Sequence, residues 1–407
     1  MKNLNVKPDT LTIFVLVYIT YISIHGIISI FMDNIFFSSI KDIVLVILSL
    51  LGLYYVLLRL RLKSMTTLFF LLLGLFCTGT LGVLISGDWL SWVYGMKITF
   101  LPILILFLGV LLGRYESKVT NLLFYIYILS LVVWTIQYYL GIEKLMDIGY
   151  IYGVNIKTFT ESLPRLPSIF GAPDNYAFTL ALLGLIIEKS NICRKSKKIL
   201  FFVKIFTLSF LILSTVRNAV LFWIVSQSIL AILKIYNIKI KTAYNILAVK
   251  MFTVCLGLII SFYYFFYSNI KIDLLNYNSI LIRIDHWGSY LPSIFSINGL
   301  VGNGIGSVGA ASRRVSDLGF LSSNYAVDNQ YLAIFAQTGL LGSLFFLMIT
   351  IYIIYMIIHT NRIDSQYTVA LLFGTSVASL FSTILEIFPF NVIFWLYLGM
   401  TLFPKNK

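Results

Sequence analysis

The chain is a succession of long apolar runs separated by short polar segments. The runs fall at about 11–31, 40–58, 66–86, 98–113, 121–140, 175–188, 199–215, 218–234, 246–268, 329–358, 366–386 and 388–404. A helix needs roughly 20 apolar residues to cross a bilayer, so the pattern predicts about twelve transmembrane helices. The runs at 98–113 and 175–188 are short for a span, and the one at 329–358 is long enough to project beyond it. Two polar segments stand out by length, 141–174 and 269–328. The second carries Trp287, Tyr290, Phe295, Phe320 and Tyr325, an aromatic content at odds with disorder. Short helices at the membrane surface are expected there. The prediction is an all-α polytopic membrane protein, a single integral membrane domain over 1–407 with two large loops.

Composition leads to the same class. Of 407 residues, 59% are apolar and 11% charged, with a mean hydropathy of +0.93. Soluble domains run nearer half apolar and a quarter charged, so the excess must face lipid. That excludes a cytosolic enzyme, a disordered chain and a disulfide-rich secreted domain. Lys2 and Lys7 precede an apolar run that has no small-residue cleavage site after it. The run exceeds the roughly 7–15 residues of a signal h-region, and is expected to remain as the first span. Cys77, Cys193 and Cys255 have no metal or disulfide spacing, and His25, His286 and His359 form no zinc-binding cluster. No metal and no cofactor are expected.

The net charge of +14 adds orientation. With the N-terminus cytoplasmic, the inner segments hold 20 of the 30 Lys and Arg residues. Of the 16 Asp and Glu residues they hold only Asp9, Glu116, Glu188 and Asp364. This asymmetry is the positive-inside pattern. It predicts a multi-pass protein of the cell (cytoplasmic) membrane with both termini in the cytoplasm and the loops 141–174 and 269–328 outside. Basic residues spread beside apolar runs suit anionic lipid headgroups, and no nucleic-acid partner is expected. A working site should lie on the outer face.

Several outer residues could carry chemistry. Gly304-Ile305-Gly306-Ser307-Val308-Gly309 spells a dinucleotide fingerprint but lacks the strand–helix context that gives one meaning. It reads either as a surface turn or as the wall of a substrate groove. Arg217 stands in the tight turn Ser214-Thr215-Val216-Arg217-Asn218. An arginine so near hydrocarbon must be paired or face a polar cavity. It either snorkels to lipid phosphate or offers its fork to a phosphate of a lipid-linked substrate. Arg283, Arg313 and Arg314 lie in the second long loop, where Asp285 could neutralise Arg283. Together with Arg165 and Arg217 they could hold a diphosphate, whose charge grows as it leaves. Asp328 stands where the loop enters the tenth span, as a helix cap or as a base. Glu386, at the outer end of the eleventh span, is a second carboxylate candidate. The Gly/Pro-broken paired spans of many transporters are not evident.

These motifs, in their order, resemble the O-antigen ligase and Wzy-type polysaccharide polymerase superfamily. Arg283-x3-Trp287 is followed by Ile297-Asn298-Gly299-Leu300-Val301-Gly302-Asn303-Gly304-Ile305-Gly306. Asp328-Asn329-Gln330-Tyr331-Leu332 and Gln337-Thr338-Gly339-Leu340-Leu341-Gly342 come next. They look like that family's R…W, NPxxGxGxG, HNxxL and ExGxxG motifs. Ser214-Thr215-Val216-Arg217 is similar to its TxSR turn, and 165–175 (RLPSIFGAPDN) to its RxxGxFxxPN segment. The resemblance spans essentially the whole chain. It implies a glycosyltransferase without nucleotide sugar or metal, acting on undecaprenyl-diphosphate-linked oligosaccharide at the outer membrane face. Carried over by position, Arg217 and Arg283 would hold the donor diphosphate, and Asp328, at the place of the motif histidine, would be the base. The aspartate variant suits a polymerase of capsular, exo- or O-antigen repeat units better than a ligase of finished chains. A flippase or transporter for the same lipid-linked oligosaccharide is a further alternative. Gln337 replaces the motif's acidic residue and is assigned no chemistry. A chain-length regulator and a flippase stay open as protein partners beside membrane lipids.

Overall fold

The computed structural model describes residues 8–32, 35–60, 62–160, 163–235, 296–317, 327–359 and 365–402. The expected ninth span, Arg283 with its Trp287, and much of the 269–328 loop lie outside these residues.

The fold is an all-α bundle of the membrane type, with one small β-hairpin. In chain order the helices are α1 (Pro8–Phe31), α2 (Ile35–Leu53), α3 (Lys63–Ser86), α4 (Trp89–Gly95), α5 (Leu101–Leu112) and α6 (Glu116–Asp147). The hairpin β1 (Lys157–Thr160) and β2 (Leu163–Arg165) follows. Then come α7 (Pro173–Ile186), α8 (Asn191–Lys195), α9 (Lys197–Leu213) and α10 (Arg217–Ile235). The rest are α11 (Ile297–Val301), α12 (Ala310–Asp317), α13 (Gln330–His359), α14 (Ser365–Ala378) and α15 (Phe390–Leu402). Polar caps set several starts: the Asp88, Ser190, Ser196 and Ser296 side chains each accept a backbone N–H from the first turn of α4, α8, α9 and α11.

Among the described residues, six helical stretches are long and apolar enough to cross a membrane: Thr10–Phe31, Ser39–Leu58, Lys63–Ser86, Trp89–Asp147, Arg217–Lys234 and Gln330–Ile358. Of the twelve expected, the ninth lies outside the described residues, and others are merged or shorter than a full span. Residues 89–147 run as one almost unbroken helical stretch, and several short apolar helices are enclosed by protein. Every residue of α15 is buried, as is nearly all of α5 and α7. A helix sheathed in protein need not match the hydrocarbon thickness. The long helices face outward instead: Val17, Leu58, Phe70 and Tyr125 are each more than 60% exposed. Apolar surface of that kind requires lipid.

The core depends on close backbone approach between α5 and α15. A methyl group on Gly399 would collide with the Leu106 carbonyl, and one on Gly109 with the Leu396 carbonyl. Without a hydrophobic force between helices in lipid, small residues at such crossings supply the packing. Gly399→Val is therefore expected to force the helices apart at a cost of at least about 1–3 kcal/mol. Its thermal midpoint in detergent should fall; an unchanged midpoint would contradict this packing.

The connections gather at two ends. One end joins 87–100, the hairpin, the 214–216 turn, 296–317 and 379–389. Ile305 N–H bonds the Gly79 carbonyl at 3.1 Å, and Asn218 Nδ2 donates to the Phe381 carbonyl at 2.7 Å. The other end is a lysine–glutamate knot: Lys189 bonds Glu116 at 2.5 Å, and Lys204 and Lys234 lie 3.5 and 4.0 Å from Glu188. These are residues that the charge asymmetry groups on one side.

Candidate functional site

The segment between α6 and α7 folds as a hairpin, with Lys157 opposite Arg165. Just beyond it, Ser168 is buried in the left-handed region at φ 50°. Gln137 of α6 clasps it from both sides. Its Oε1 accepts the Ser168 N–H at 2.8 Å, and its Nε2 donates to the Ser168 carbonyl at 3.0 Å. Leu166, Ile169 and Phe170 are buried around this clasp. Arg165 is thereby fixed at the rim.

Arg165 reaches across to the turn before α10. Its Nε donates to Thr215 Oγ1 at 2.8 Å and its Nη2 to the Thr215 carbonyl at 3.2 Å. Thr215 has φ 56°, an outlier for a β-branched residue that costs about 1–3 kcal/mol. The guanidinium carbon of Arg165 lies 4.9 Å over the Phe159 ring, and that of Arg217 lies 5.3 Å from the same ring. No carboxylate among the described residues pairs with either arginine. Arg217 also begins α10, where the helix dipole is positive and a cation is disfavoured. Like charges, a strained turn and an opposed dipole are three local costs, and an anion between the arginines would relieve two of them.

The glycine-rich loop 302–309 is packed inward, with Gly302, Gly304, Gly306 and Gly309 buried. The surface-turn alternative is therefore corrected. Its leading N–H groups are also spent: Asn303 on the Ala336 carbonyl at 2.8 Å, Gly304 on that of Gln337 at 3.0 Å, and Gly306 on Gln337 Oε1 at 3.1 Å. They are not available to cradle a phosphate. The acceptors exist because α13 breaks at Gly339, where φ is 65°, and a helix break leaves the preceding carbonyls without intrahelical partners. Gly306, at φ 87°, allows no side chain because one would run into the Ser91 carbonyl.

Gln337 is the hub. Its Nε2 donates to the Val308 carbonyl at 3.2 Å and to Glu386 Oε1 at 3.4 Å, while Glu386 Oε2 accepts the Ala310 N–H at 2.9 Å. Helix α14 ends at Ala378, so Glu386 lies in the turn 384–386, folded inward, and not at a helix end facing water. Burial pushes its carboxyl up to about 7, against the pull of the Ala310 N–H and the Gln337 amide. The native state thus holds its proton more tightly than the unfolded chain, at 4.5. Stability contributed by this group is full below about pH 4.5 and declines as pH rises to about 7, by of order 3 kcal/mol. Glu386→Gln is expected to flatten that slope. Thermal midpoints of both proteins across this range would show it, and parallel slopes would contradict it.

Asp328 is half-buried in the turn that enters α13. Its neighbour caps the helix: Asn329 Oδ1 accepts the N–H groups of Tyr331 and Leu332 at 3.0 and 3.2 Å. Gln330 ties this turn to 379–386, its N–H on the Ser379 carbonyl at 2.8 Å and its Oε1 accepting from Leu385 N at 3.1 Å.

The structure thus brings Arg165 and Arg217 together. Arg313 and Arg314 are exposed on α12, packed near α4 and not at the arginine pair, and Arg283 lies outside the described residues. Phe159, Thr215 and Gln337 escape sequence reasoning. Only Gln337 left a signal there, as a polar residue within an apolar run. Among the described residues, no group of three or more His, Cys, Asp or Glu could hold a metal. In comparisons with known proteins, no family model and no curated protein matches the chain.

Proposed function

We propose that the protein is a glycan polymerase of the cell membrane, with about twelve spans, its arginine-bearing end outside and both termini in the cytoplasm. It joins oligosaccharide repeat units carried on undecaprenyl diphosphate. The observation that carries this reading is the meeting of Arg165 and Arg217 at one Phe159 ring, from segments 50 residues apart. Two unneutralised guanidiniums at the edge of an apolar bundle suit a lipid-borne diphosphate, which their planar forks can bind by paired hydrogen bonds.

In this mechanism a hydroxyl of the acceptor sugar attacks the anomeric carbon of the donor chain. Asp328 takes the hydroxyl proton as the bond forms. The bond from the anomeric carbon to the diphosphate oxygen breaks, and lipid diphosphate leaves with its charge held by Arg165, Arg217 and Arg283. Gln337 and Glu386 hold the inner wall formed by the glycine-rich loop.

The test is the glycan profile of cells lacking the gene, sized on a gel beside extracted lipid-linked material. Single repeat units on the carrier, with no ladder, are expected. Long lipid-linked chains left untransferred would instead mean a ligase. Repeat units trapped on the cytoplasmic side would mean a flippase.

A further inference from the structure

A second cationic cluster, built from other elements, stands at the same end of the bundle. Lys41, near the start of α2, bonds one oxygen of Asp42 at 2.9 Å, and Lys97 bonds the other at 2.6 Å. Lys41 Nζ also lies 4.9 Å over the Phe388 ring, and Arg314 of α12 acts on it through space. Beneath them His25 of α1 packs edge-on to Phe388 at 6.3 Å. Its ring is 6% exposed and its Nδ1 is buried without a hydrogen-bond partner. Lys41, Asp42 and Lys97 are the charges that act on it.

Two lysines therefore share one carboxylate, and the charge of Arg314 adds to that of Lys41. Ordinary ion pairing would leave no excess, yet Asp42 can neutralise only one of them. The site is graded in depth: the Lys41 side chain is 15% exposed, that of Lys97 38%, and Arg314 is open to solvent. Such a graded cluster of cations is suited to an anion whose phosphates enter from the membrane surface.

The proposed reaction supplies a reason for a second anion site. When one lipid-linked unit attacks another, the donor releases its lipid diphosphate while the acceptor keeps its own. Two diphosphates are present through the step, and a single arginine pair cannot hold both. We propose that Lys41, Lys97 and Arg314 bind the diphosphate of the acceptor lipid, an assignment that rests on the polymerase reading. Asp42 spaces the two lysines, and Phe388 orients Lys41.

Native mass spectrometry of the full chain in phosphatidylcholine nanodiscs loaded with undecaprenyl diphosphate tests this. Wild type should hold two molecules, and Lys97→Gln/Arg314→Gln one, with affinity at the lost site reduced at least about tenfold, the loss of one charge-assisted contact. Arg314→Gln alone, at an exposed position, should show a partial loss and guards against misfolding of the double variant. Arg217→Ala should also leave one. Two molecules on the double variant would overturn the subsite. A single molecule on wild type, removed by Arg217→Ala alone, would overturn it and leave the polymerase reading standing. A single molecule removed only by the double variant would support the subsite and overturn the arginine clamp. No binding at all would overturn both. Displacement of the second molecule by added phosphatidylglycerol would assign the cluster to bulk lipid headgroups and overturn the acceptor role.

Discussion

Arg217→Ala is expected to slow chain extension severely while the protein still inserts and accumulates. In purified protein supplied with lipid-linked repeat units, the loss in kcat/KM should be about 10- to 100-fold. That corresponds to roughly 1.5–3 kcal/mol for a hydrogen bond to a charged group. Arg165→Ala should cost at least as much, because it removes a guanidinium and also frees Thr215 from both of its arginine bonds. The turn that aims Arg217 would then relax toward an ordinary backbone conformation. The two losses should fall short of adding, since each arginine helps to place the other at Phe159. Stability should barely change in Arg217→Ala, whose side chain is exposed and lacks a carboxylate partner among the described residues. Full-length polymer at the wild-type rate from both single variants would rule out the clamp.

The second large effect is expected at Gln337 and Glu386. Gln337→Glu would set a carboxylate where an amide now donates to Glu386 Oε1 at 3.4 Å and to the Val308 carbonyl at 3.2 Å. Two buried carboxylates at that separation cannot both ionise, and the Val308 carbonyl would lose its donor. The combined cost should be several kcal/mol, given about 1–3 kcal/mol for one buried group left unsatisfied. Gln337→Glu/Glu386→Gln restores an acid–amide pair in the opposite order and should recover most of the stability and of the polymer ladder. A double variant no better than Gln337→Glu would show that the two residues do not act as a unit. The glycine-rich loop explains the reach of the effect. Gly306 N–H and Ala310 N–H hang on this pair, so the loop should loosen with it.

Much of the architecture was legible in the chain. Apolar runs longer than a soluble core can absorb dictate a membrane bundle, because apolar area is the dominant driving term and has nowhere else to go. The runs at 98–113 and 175–188 are short for a span. They contribute to α5 and α7, the enclosed helices. Sequence cannot separate a helix sheathed in protein from one bathed in lipid, since both are apolar all round. Only the packing of neighbours decides which it is.

The site divides along the same line. Arg217 in a tight turn beside hydrocarbon is conspicuous in sequence, because an unpaired cation there is costly. Its meeting with Arg165 at Phe159 is not, since nothing local links residues 159, 165 and 217. The hairpin and the left-handed Thr215 make that contact, and both are tertiary facts. Asn329, the residue after Asp328, caps α13 with its side-chain oxygen, a contact set by where α13 begins and not by side-chain propensity alone. Gln337 breaks a motif, yet its one amide ties the glycine-rich loop, at Gly306 and Val308, to Glu386. The sequence by itself determined the membrane class, the charge asymmetry and the presence of fixed cations, because those follow from composition and spacing. The tertiary structure alone decided which cations meet, which glycines are walls and which polar groups are spent, because those depend on residues far apart in the chain.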